Sequence, residues 1–263
     1  MIDIHSHLLP GIDDGAGTLQ VSLAMARIAE SDGISDMVCT PHIYPGMYEN
    51  DASGIRQGVV ALQARLDDAG LSIRLHSGAD AHLTPELSHG VANGRVPTLA
   101  GSRYLLLEPP HHVAPPRFEA TVFGLMAQGL VPVITHPERL SWVESHYELF
   151  ERLVERGCWM QITAGALTGR FGRRVRYWGE RFVSEGRAHV LATDAHNADH
   201  RPPLLHEARV AAERLVGVME ATHLVETRPS AILADLDPGK VPLPEARSAF
   251  ATLRPSWLPR WLS

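Results

Sequence analysis

The chain has 263 residues, of which 44% are hydrophobic and 21% charged, and its formal net charge is -6. This length and apolar content predict one large globular domain and exclude disordered and fibrous proteins. This mildly acidic net charge does not attract nucleic acid, whose binding proteins usually carry a clustered basic face. It therefore argues against a protein that binds duplex DNA.

Cysteine content and the N-terminus predict the compartment. Two cysteines, Cys39 and Cys158, are too few for a disulfide framework or a four-thiolate zinc site. The first residues lack the basic and apolar regions of a secretory signal, and no segment approaches the roughly 20 apolar residues of a membrane span. We therefore expect a cytoplasmic protein, with action at the inner face of the membrane as an alternative.

Short apolar runs alternate with segments of helical period, which is the pattern of repeated βα units. The predicted strands are Met1–His5, Ile34–Thr40, Ser72–Ser77, Tyr104–Glu108, Leu130–Thr135, Trp159–Thr163 and Ala188–Thr193. The predicted helices are Thr18–Ser31, Asp51–Ala69, Pro116–Gln128, Tyr147–Arg156 and Phe171–Glu185, then Pro202–Val218, Thr222–Thr227 and Pro229–Leu236. Seven strands with intervening helices favour a single-domain, barrel-like α/β fold, with a doubly wound open sheet as the alternative.

The end of the chain differs in composition from the rest. Residues 239–263 contain four prolines and end in a segment with Trp257 and Trp261. We expect residues 1–238 to form the barrel domain. The tail that follows either packs on the barrel through its tryptophans or contacts a membrane surface or a partner.

Functional groups of parallel α/β folds collect where the strands end, because the following loops converge on one face. Six of the seven predicted strands end in a His, Asp or Glu, whereas the sixth ends in the uncharged Gln161 and Thr163. Together with one acidic residue of the first loop, these strand ends supply nine potential metal ligands: His5, His7, Asp14, His42, Asp80, Glu108, His136, Asp194 and His196.

The spacing of these residues points to a metal centre. His5 and His7 lie two residues apart at a strand end, so both imidazoles point the same way, and Asp194 and His196 repeat that spacing at the last strand. Nitrogen and oxygen ligands without thiolates favour Mn²⁺, Fe or Zn²⁺. Nine ligands are too many for one ion and suit two or three, an arrangement that fits hydrolysis of phosphate esters.

Two arginines sharpen the predicted substrate class. Arg139 and Arg201 follow the fifth and the last strand, so both can reach the metal centre as clamps for a phosphoryl group. The alternative for each is a surface ion pair with a nearby carboxylate such as Glu138 or Asp199.

Some histidines outside the motifs also follow strands. His82 and the pair His111–His112 come after the third and fourth strands. They either edge the predicted pocket or are ordinary loop histidines.

The motifs together resemble one superfamily. The run DIHSHLLPGIDDG at residues 3–15, with TPH at 40–42, THPER at 135–139 and TDAHN at 193–197, resembles the PHP (polymerase and histidinol phosphatase) superfamily. Within it, roughly residues 1–236 look most like the bacterial capsule and exopolysaccharide tyrosine-protein phosphatases of the CpsB type. The resemblance implies a distorted seven-stranded βα barrel, up to three ions with a preference for Mn²⁺, and a phosphotyrosine-bearing bacterial tyrosine kinase as partner.

The resemblance also implies roles for individual residues. Three ligand sets follow from it: His5, His7 and Asp194; Asp80 as a bridge to Glu108 and His136; and Asp14, His42 and His196. Arg139 and Arg201 match positions that bind the phosphate. The position of Asp80 is usually Glu in this family, so the bridging side chain is one methylene shorter here.

We predict a direct attack of metal-activated hydroxide on phosphorus, without a phosphoenzyme. In this mechanism Arg139 and Arg201 stabilise the developing charge, while His42 or a metal assists the leaving oxygen. Two alternatives stay open at this point: a small-molecule phosphatase of the histidinol-phosphate type, which would use the same metals, and a metal-binding scaffold without turnover.

The sequence excludes the cysteine-based phosphatase mechanism. That mechanism needs an arginine six residues after the nucleophilic cysteine, so that the thiolate lies under a phosphate held by the loop. Pro45 and Ala164 occupy those positions after Cys39 and Cys158. Both cysteines are therefore predicted to be core residues.

Overall fold

The computed structural model describes residues 1–246 of the chain. Its strands are β1 Ile2–Ser6, β2 Asp36–Cys39, β3 His42–Ile43, β4 Arg74–Ser77, β5 Asp80–His82, β6 Tyr104–Glu108, β7 Val131–Thr135, β8 Trp159–Thr163 and β9 Val190–Ala192. They pair in parallel in a three-stranded sheet of order β1-β2-β4 and a six-stranded sheet of order β3-β5-β6-β7-β8-β9. The predicted α/β class with parallel strands is confirmed.

Each of the seven predicted strands is present, and the second and third, β2 and β4, are each followed after a short break by a further strand that was not predicted, β3 and β5. The first break falls at Pro41, which has no N–H to donate to a neighbouring strand. The second falls at Gly78, where a Cβ would lie only 2.8 Å from Cγ1 of Val38. The two breaks lie side by side, since the amide of Gly78 donates to Cys39 O at 3.0 Å and that of Asp80 to Pro41 O at 3.2 Å. The pairs β2–β4 and β3–β5 accordingly belong to different sheets.

The closed seven-stranded barrel that the sequence suggested is not confirmed, because β1 and β9 do not pair along their length. A single parallel bridge joins Ser6 to Ala195. Beside it, the amide of His7 donates to Ala195 O at 2.8 Å and the amide of Asp194 donates to His5 O at 2.9 Å. The first and last strands are therefore neighbours at their carboxyl ends, which is where the polar motifs lie.

The helices cover the strands. They are α1 Leu19–Ser31, α2 Ala52–Asp68, α3 Leu87–Ala92, α4 Phe118–Met126, α5 Tyr147–Glu155, α6 Ala164–Leu167, α7 Gly172–Ser184, α8 His206–Val216, α9 Val218–Thr222 and α10 Arg228–Leu233. The side chains of Thr18 and Asp51 cap α1 and α2 by accepting from backbone amides of the first turn, which explains where these helices begin. The sequence did not predict α3, α6 or α9, and the predicted helix over 222–227 is a π-helical turn, His223–Thr227.

Alternate strand residues pack into two separate clusters of buried apolar side chains, because side chains alternate across a strand. In β6 and β8, Leu106 and Trp159 face the smaller cluster, which also contains Ile232 of α10. Two residues further along the same strands, Glu108 and Gln161 continue that face. The polar site thus begins where this apolar cluster ends.

Within residues 1–246, no helix combines the length and the hydropathy that a membrane span requires. The chain beyond α10 makes a 3-10 turn at Pro238–Lys240, and Val241 packs into the smaller apolar cluster. The predicted roles of Trp257 and Trp261 lie outside the described residues.

Candidate metal centre

The nine side chains predicted as metal ligands lie in one connected cluster. In its first part, His5 Nε2 is 3.4 Å from Asp80 Oδ2 and 3.4 Å from Asp194 Oδ1. His7 Nε2 lies 3.4 Å from the same Asp194 oxygen and 3.3 Å from His5 Nε2. The proximity of β1 to the chain after β9 brings His5, His7 and Asp194 together, and β5 supplies Asp80.

Asp80 and Glu108 connect this first part to the second. Nδ1 of His42 lies 3.4 Å from Asp80 Oδ2 and 3.4 Å from Glu108 Oε2. The other oxygen of Glu108 lies 3.5 Å from His136 Nε2. Asp80 therefore stands between His5 on one side and His42 on the other, although its side chain is short.

The third part lies at the solvent opening. Asp14 Oδ1 is 3.4 Å from His42 Nε2 and 3.5 Å from His196 Nε2. The Asp14 side chain is 49% exposed, whereas the imidazoles are almost fully buried. Solvent and substrate therefore reach the centre past Asp14.

Unpartnered buried atoms test whether these residues suit a metal. Both carboxylate oxygens of Asp80 and Nδ1 of His42 are buried without a hydrogen-bond partner within residues 1–246. Such atoms are costly to bury unless something satisfies them. Among residues 1–246, four groups of side chains have ligand atoms that lie within 4.8 Å of one another inside each group. The groups are His7, Asp14, His42 and His196; His5, His7 and Asp80; His42, His82 and Glu108; and Glu108, His111 and His136. The residues fit a cluster of divalent cations.

Two residues of the cluster, Asp194 and His136, have charge states that suit metal binding. Burial opposes ionisation of Asp194, but the charges of His5 and Arg201 and a hydrogen bond from His7 hold its pKa well below the usual range. Burial and the charge of Arg139 lower the pKa of His136 well below its usual value. The carboxylate is thus ionised and this imidazole neutral, which are the forms that bind cations.

Two of the cluster residues adopt an unusual backbone conformation. His136 has a φ of 33° and Asp194 a φ of 51°, both in the left-handed region that residues with a Cβ rarely enter. His136 directly follows β7, and Asp194 lies two residues after the end of β9. Backbone strain of this kind persists where the surroundings impose it, and it is common at functional sites.

Two residues that the sequence did not single out as site residues hold the first two imidazoles. Asp13 Oδ2 lies 2.7 Å from His7 Nδ1, and Gln161 Oε1 lies 3.0 Å from His5 Nδ1. A hydrogen bond at Nδ1 fixes the tautomer and leaves Nε2 free to bind a cation. The signals were present: Asp13 stands inside the first motif, and Gln161 is the uncharged strand end.

The first motif also needs a glycine. A Cβ on Gly15 would lie 2.3 Å from the carbonyl oxygen of His7. The loop carrying Asp13 and Asp14 therefore folds back directly on His7, and no larger residue fits at that point.

Of the histidines outside the motifs, His82 and His111 edge the pocket. His82 Nε2 lies 2.5 Å from Glu108 Oε2, and His111 Nε2 lies 3.1 Å from Glu108 Oε1. Each oxygen of Glu108 thus has an imidazole beside it. The ring of His112 contacts His111 at a centroid distance of 6.3 Å and no ring of the cluster, so it is a loop residue.

The two predicted phosphate-binding arginines converge on one atom. Arg139 and Arg201 both donate to Oδ2 of Asp194. Within the described range neither pairs with Glu138 or Asp199; the buried Glu138 instead accepts the amide of Thr163 at 2.9 Å. Both guanidinium groups therefore border the metal centre.

The cysteines lie in the core, as predicted. Cys39 and Cys158 are free and fully buried. Burial raises the pKa of both thiols far above the usual value. Neither can supply a thiolate nucleophile at the site.

Known proteins are similar to this chain in sequence and in fold. A family model described as capsular polysaccharide synthesis, CpsB/CapC, matches residues 1–234. Tyrosine-protein phosphatase YwqE of Bacillus subtilis is 35% identical over 217 residues, which cover 82% of this chain and 85% of that protein. Tyrosine-protein phosphatase CpsB of Streptococcus pneumoniae is 28% identical over 240 residues, 89% of this chain and 99% of that protein. A crystal structure from work on YwqE and CpsB, described there as unique metal-dependent tyrosine phosphatases, matches with a TM-score of 0.85 and 32% identity, covering 94% of this chain and 100% of that one.

Proposed function

The chain belongs to the CpsB/CapC family, and we propose that it is a metal-dependent protein-tyrosine phosphatase acting in capsule or exopolysaccharide synthesis. The observation that carries this function is the cluster of imidazoles and carboxylates bordered by Arg139 and Arg201. Its relatives named above are tyrosine-protein phosphatases, and the matching crystal structure is described as metal-dependent.

The donor set supports two or three Mn²⁺ ions, with Fe or Zn²⁺ as alternatives. Imidazole and carboxylate ligands without thiolates suit these ions. The proposed ligand sets are His5, His7 and Asp194; Asp80, Glu108 and His136; and Asp14, His42 and His196. Bound there, divalent cations would neutralise phosphoryl oxygens and lower the pKa of a water nucleophile.

Arg139 and Arg201 are proposed to bind the phosphoryl oxygens. Their convergence on one oxygen of Asp194 supports this role, because the two donors already point at a common position beside His5 and His7. Planar guanidinium groups suit tetrahedral phosphate, and the attraction strengthens as negative charge grows during the reaction.

His42 is proposed to assist the leaving oxygen. It lies between the solvent-facing Asp14 and the buried Asp80, so it is reachable from the opening. A phenolic leaving group has a pKa of about 10 and needs little protonation, which fits a site without a strong general acid.

The proposed substrate is phosphotyrosine on a bacterial tyrosine kinase. The support is the naming of the relatives as tyrosine-protein phosphatases, together with the family description in capsular polysaccharide synthesis. A small-molecule substrate of the histidinol-phosphate type is the alternative that an experiment should compare directly.

The test is phosphate release from a phosphotyrosyl peptide by Mn²⁺-loaded protein, with an EDTA-treated sample and histidinol phosphate run alongside. We expect turnover of the peptide that EDTA abolishes and that exceeds turnover of histidinol phosphate. Cys158→Ser should retain this turnover, because Cys158 lies in the core away from the cluster. Faster turnover of histidinol phosphate, or release that survives EDTA, would overturn the proposal.

A further inference from the structure

A tight hairpin follows β3 at the edge of the metal centre. The amide of Tyr48 donates to Tyr44 O at 2.8 Å, and the amide of Tyr44 donates to Tyr48 O at 3.0 Å. Gly46, with a φ of 85°, supplies the left-handed turn between them. These bonds hold the two tyrosines close together on one short loop.

Both phenol rings of the hairpin stack on imidazoles of the metal centre. The ring of Tyr44 lies 4.1 Å from that of His82, with an angle of 12° between the planes. The ring of Tyr48 lies 5.5 Å from that of His42, at 18°. His42 is itself a predicted ligand, and His82 contacts the predicted ligand Glu108. Tyr48 therefore packs directly on a predicted ligand, and Tyr44 packs on a histidine that contacts one.

The same rim exposes apolar surface. Eight large hydrophobic residues within residues 1–246 are exposed, and two of them, Tyr44 and Met47, belong to this hairpin, with exposed fractions of 38% and 65%. Exposed apolar side chains beside the opening of a site are typical of a surface that binds a ligand.

The contacts give the site two chemically different sides. Arg139 and Arg201 contact Asp194, whereas the tyrosines of the hairpin contact His42 and His82. The arginines and the hairpin thus border different residues of the same cluster.

We propose that the hairpin Tyr44–Tyr48 is the surface on which the aromatic ring of the phosphorylated substrate packs, so that it selects aryl over alkyl phosphate esters. This inference rests on the proposed phosphatase function and adds the residues that recognise the leaving group. A stacked or edge-on ring on Tyr44, with Met47 at its margin, removes apolar surface of both partners from water.

The test compares two phosphonate probes, one with a phenyl group and one with a methyl group bonded to phosphorus. Calorimetric titration of Mn²⁺-loaded protein with phenylphosphonate and with methylphosphonate gives a ratio of dissociation constants that does not depend on turnover. We expect phenylphosphonate to bind about tenfold more tightly to the unchanged protein, which corresponds to about 1.4 kcal/mol. Tyr44→Ala and Met47→Ala should reduce the ratio to near one, and Tyr44→Phe should preserve it.

Controls separate ring binding from support of the metal centre. Val60 on α2 is 72% exposed, and Val60→Ala should leave the ratio unchanged. Metal content and methylphosphonate affinity should stay constant in all variants. A ratio near one in the unchanged protein, or an unchanged ratio in both Tyr44→Ala and Met47→Ala, overturns the inference. Absence of phosphate release from the phosphotyrosyl peptide overturns the proposed function instead, and the binding ratio reports on the hairpin independently.

Discussion

Replacing Asp13 with Asn should weaken metal binding although Asp13 is not one of the proposed ligands. Its Oδ2 lies 2.7 Å from His7 Nδ1 and accepts the amide of His42 at 3.2 Å, while Oδ1 accepts the amide of Gly15 at 2.9 Å. An asparagine of the same size has one acceptor oxygen and one donor NH₂. It therefore cannot accept from all three groups.

Either orientation of the new amide has a cost. If its oxygen faces His7, its NH₂ opposes the amide of Gly15 and disturbs the loop that carries Asp14. If its NH₂ faces His7, Nδ1 must accept, so the proton moves to Nε2. That is the atom that faces Asp194 and must be unprotonated to bind a cation.

The expected magnitude follows from this geometry. Loss of a residue that orients a metal-binding histidine typically lowers metal affinity about 10- to 100-fold, or about 1.4–2.7 kcal/mol. Burial opposes ionisation of Asp13, but the hydrogen bond and charge of His7 hold its pKa below the usual value. With a side chain only 1% exposed, we expect the upper end of the range.

The assay is metal content after equilibration against buffered free Mn²⁺ over a concentration series. Asp51→Asn is the matched control, because Asp51 caps α2 away from the cluster and Asn caps a helix equally well. His7→Ala sets the scale for loss of a ligand. Unchanged Mn²⁺ affinity in Asp13→Asn, beside a clear loss in His7→Ala, would refute the reasoning.

Three further predictions concern substrate binding and stability. Arg201→Lys should lower kcat/KM for a phosphotyrosyl peptide about 10- to 100-fold through loss of a charge-assisted hydrogen bond, with unchanged metal content; normal kinetics would exclude Arg201 from phosphate binding. Glu220→Gln should lower the free energy of unfolding in urea by about 3–5 kcal/mol, because it leaves the fully buried Arg228 without its carboxylate partner at 2.7 Å. Replacing Glu220 and Arg228 together with Leu and Met should recover most of that loss. Burial lowers the pKa of His189 to about 3, so the unfolded chain, with a histidine pKa of about 6.5, binds the proton first and stability falls as the pH drops below that value. His189→Asn should reduce this loss of stability, measured as the difference in the free energy of unfolding in urea between pH 7 and pH 5, in EDTA. An equal difference in the variant and the unchanged protein would contradict the prediction.

The strand ends could be placed from sequence because each strand is a short apolar run followed by polar residues, and this pattern is local. Glu108 directly follows the apolar run of its strand. A residue at the carboxyl end of a parallel strand lies on the face where functional sites form. The short strands β3 and β5, which follow the breaks at Pro41 and Gly78, were not predicted. Their pairing depends on how closely two neighbouring segments approach, which no single segment reveals.

The supporting contacts were the harder part of the site. Gln161 reaches His5 across 156 positions of the chain, and Arg139 reaches Asp194 across 55. An ion pair of Arg139 with its neighbour Glu138 was the alternative to phosphate binding, yet Glu138 is buried against Thr163. Proximity along the chain is a poor guide here, because a turn at His136 sends consecutive side chains in different directions.

The sequence by itself determined the βα alternation, the class of fold and the residue types that gather at the strand ends, because hydrophobic period and motif spacing are properties of short segments. Only the tertiary structure decided which imidazole pairs with which carboxylate, that Asp13 and Gln161 fix the tautomers of His7 and His5, and that the sheets remain two. These outcomes depend on distances of a few tenths of an ångström between segments remote in the chain, and packing of the whole domain sets those distances.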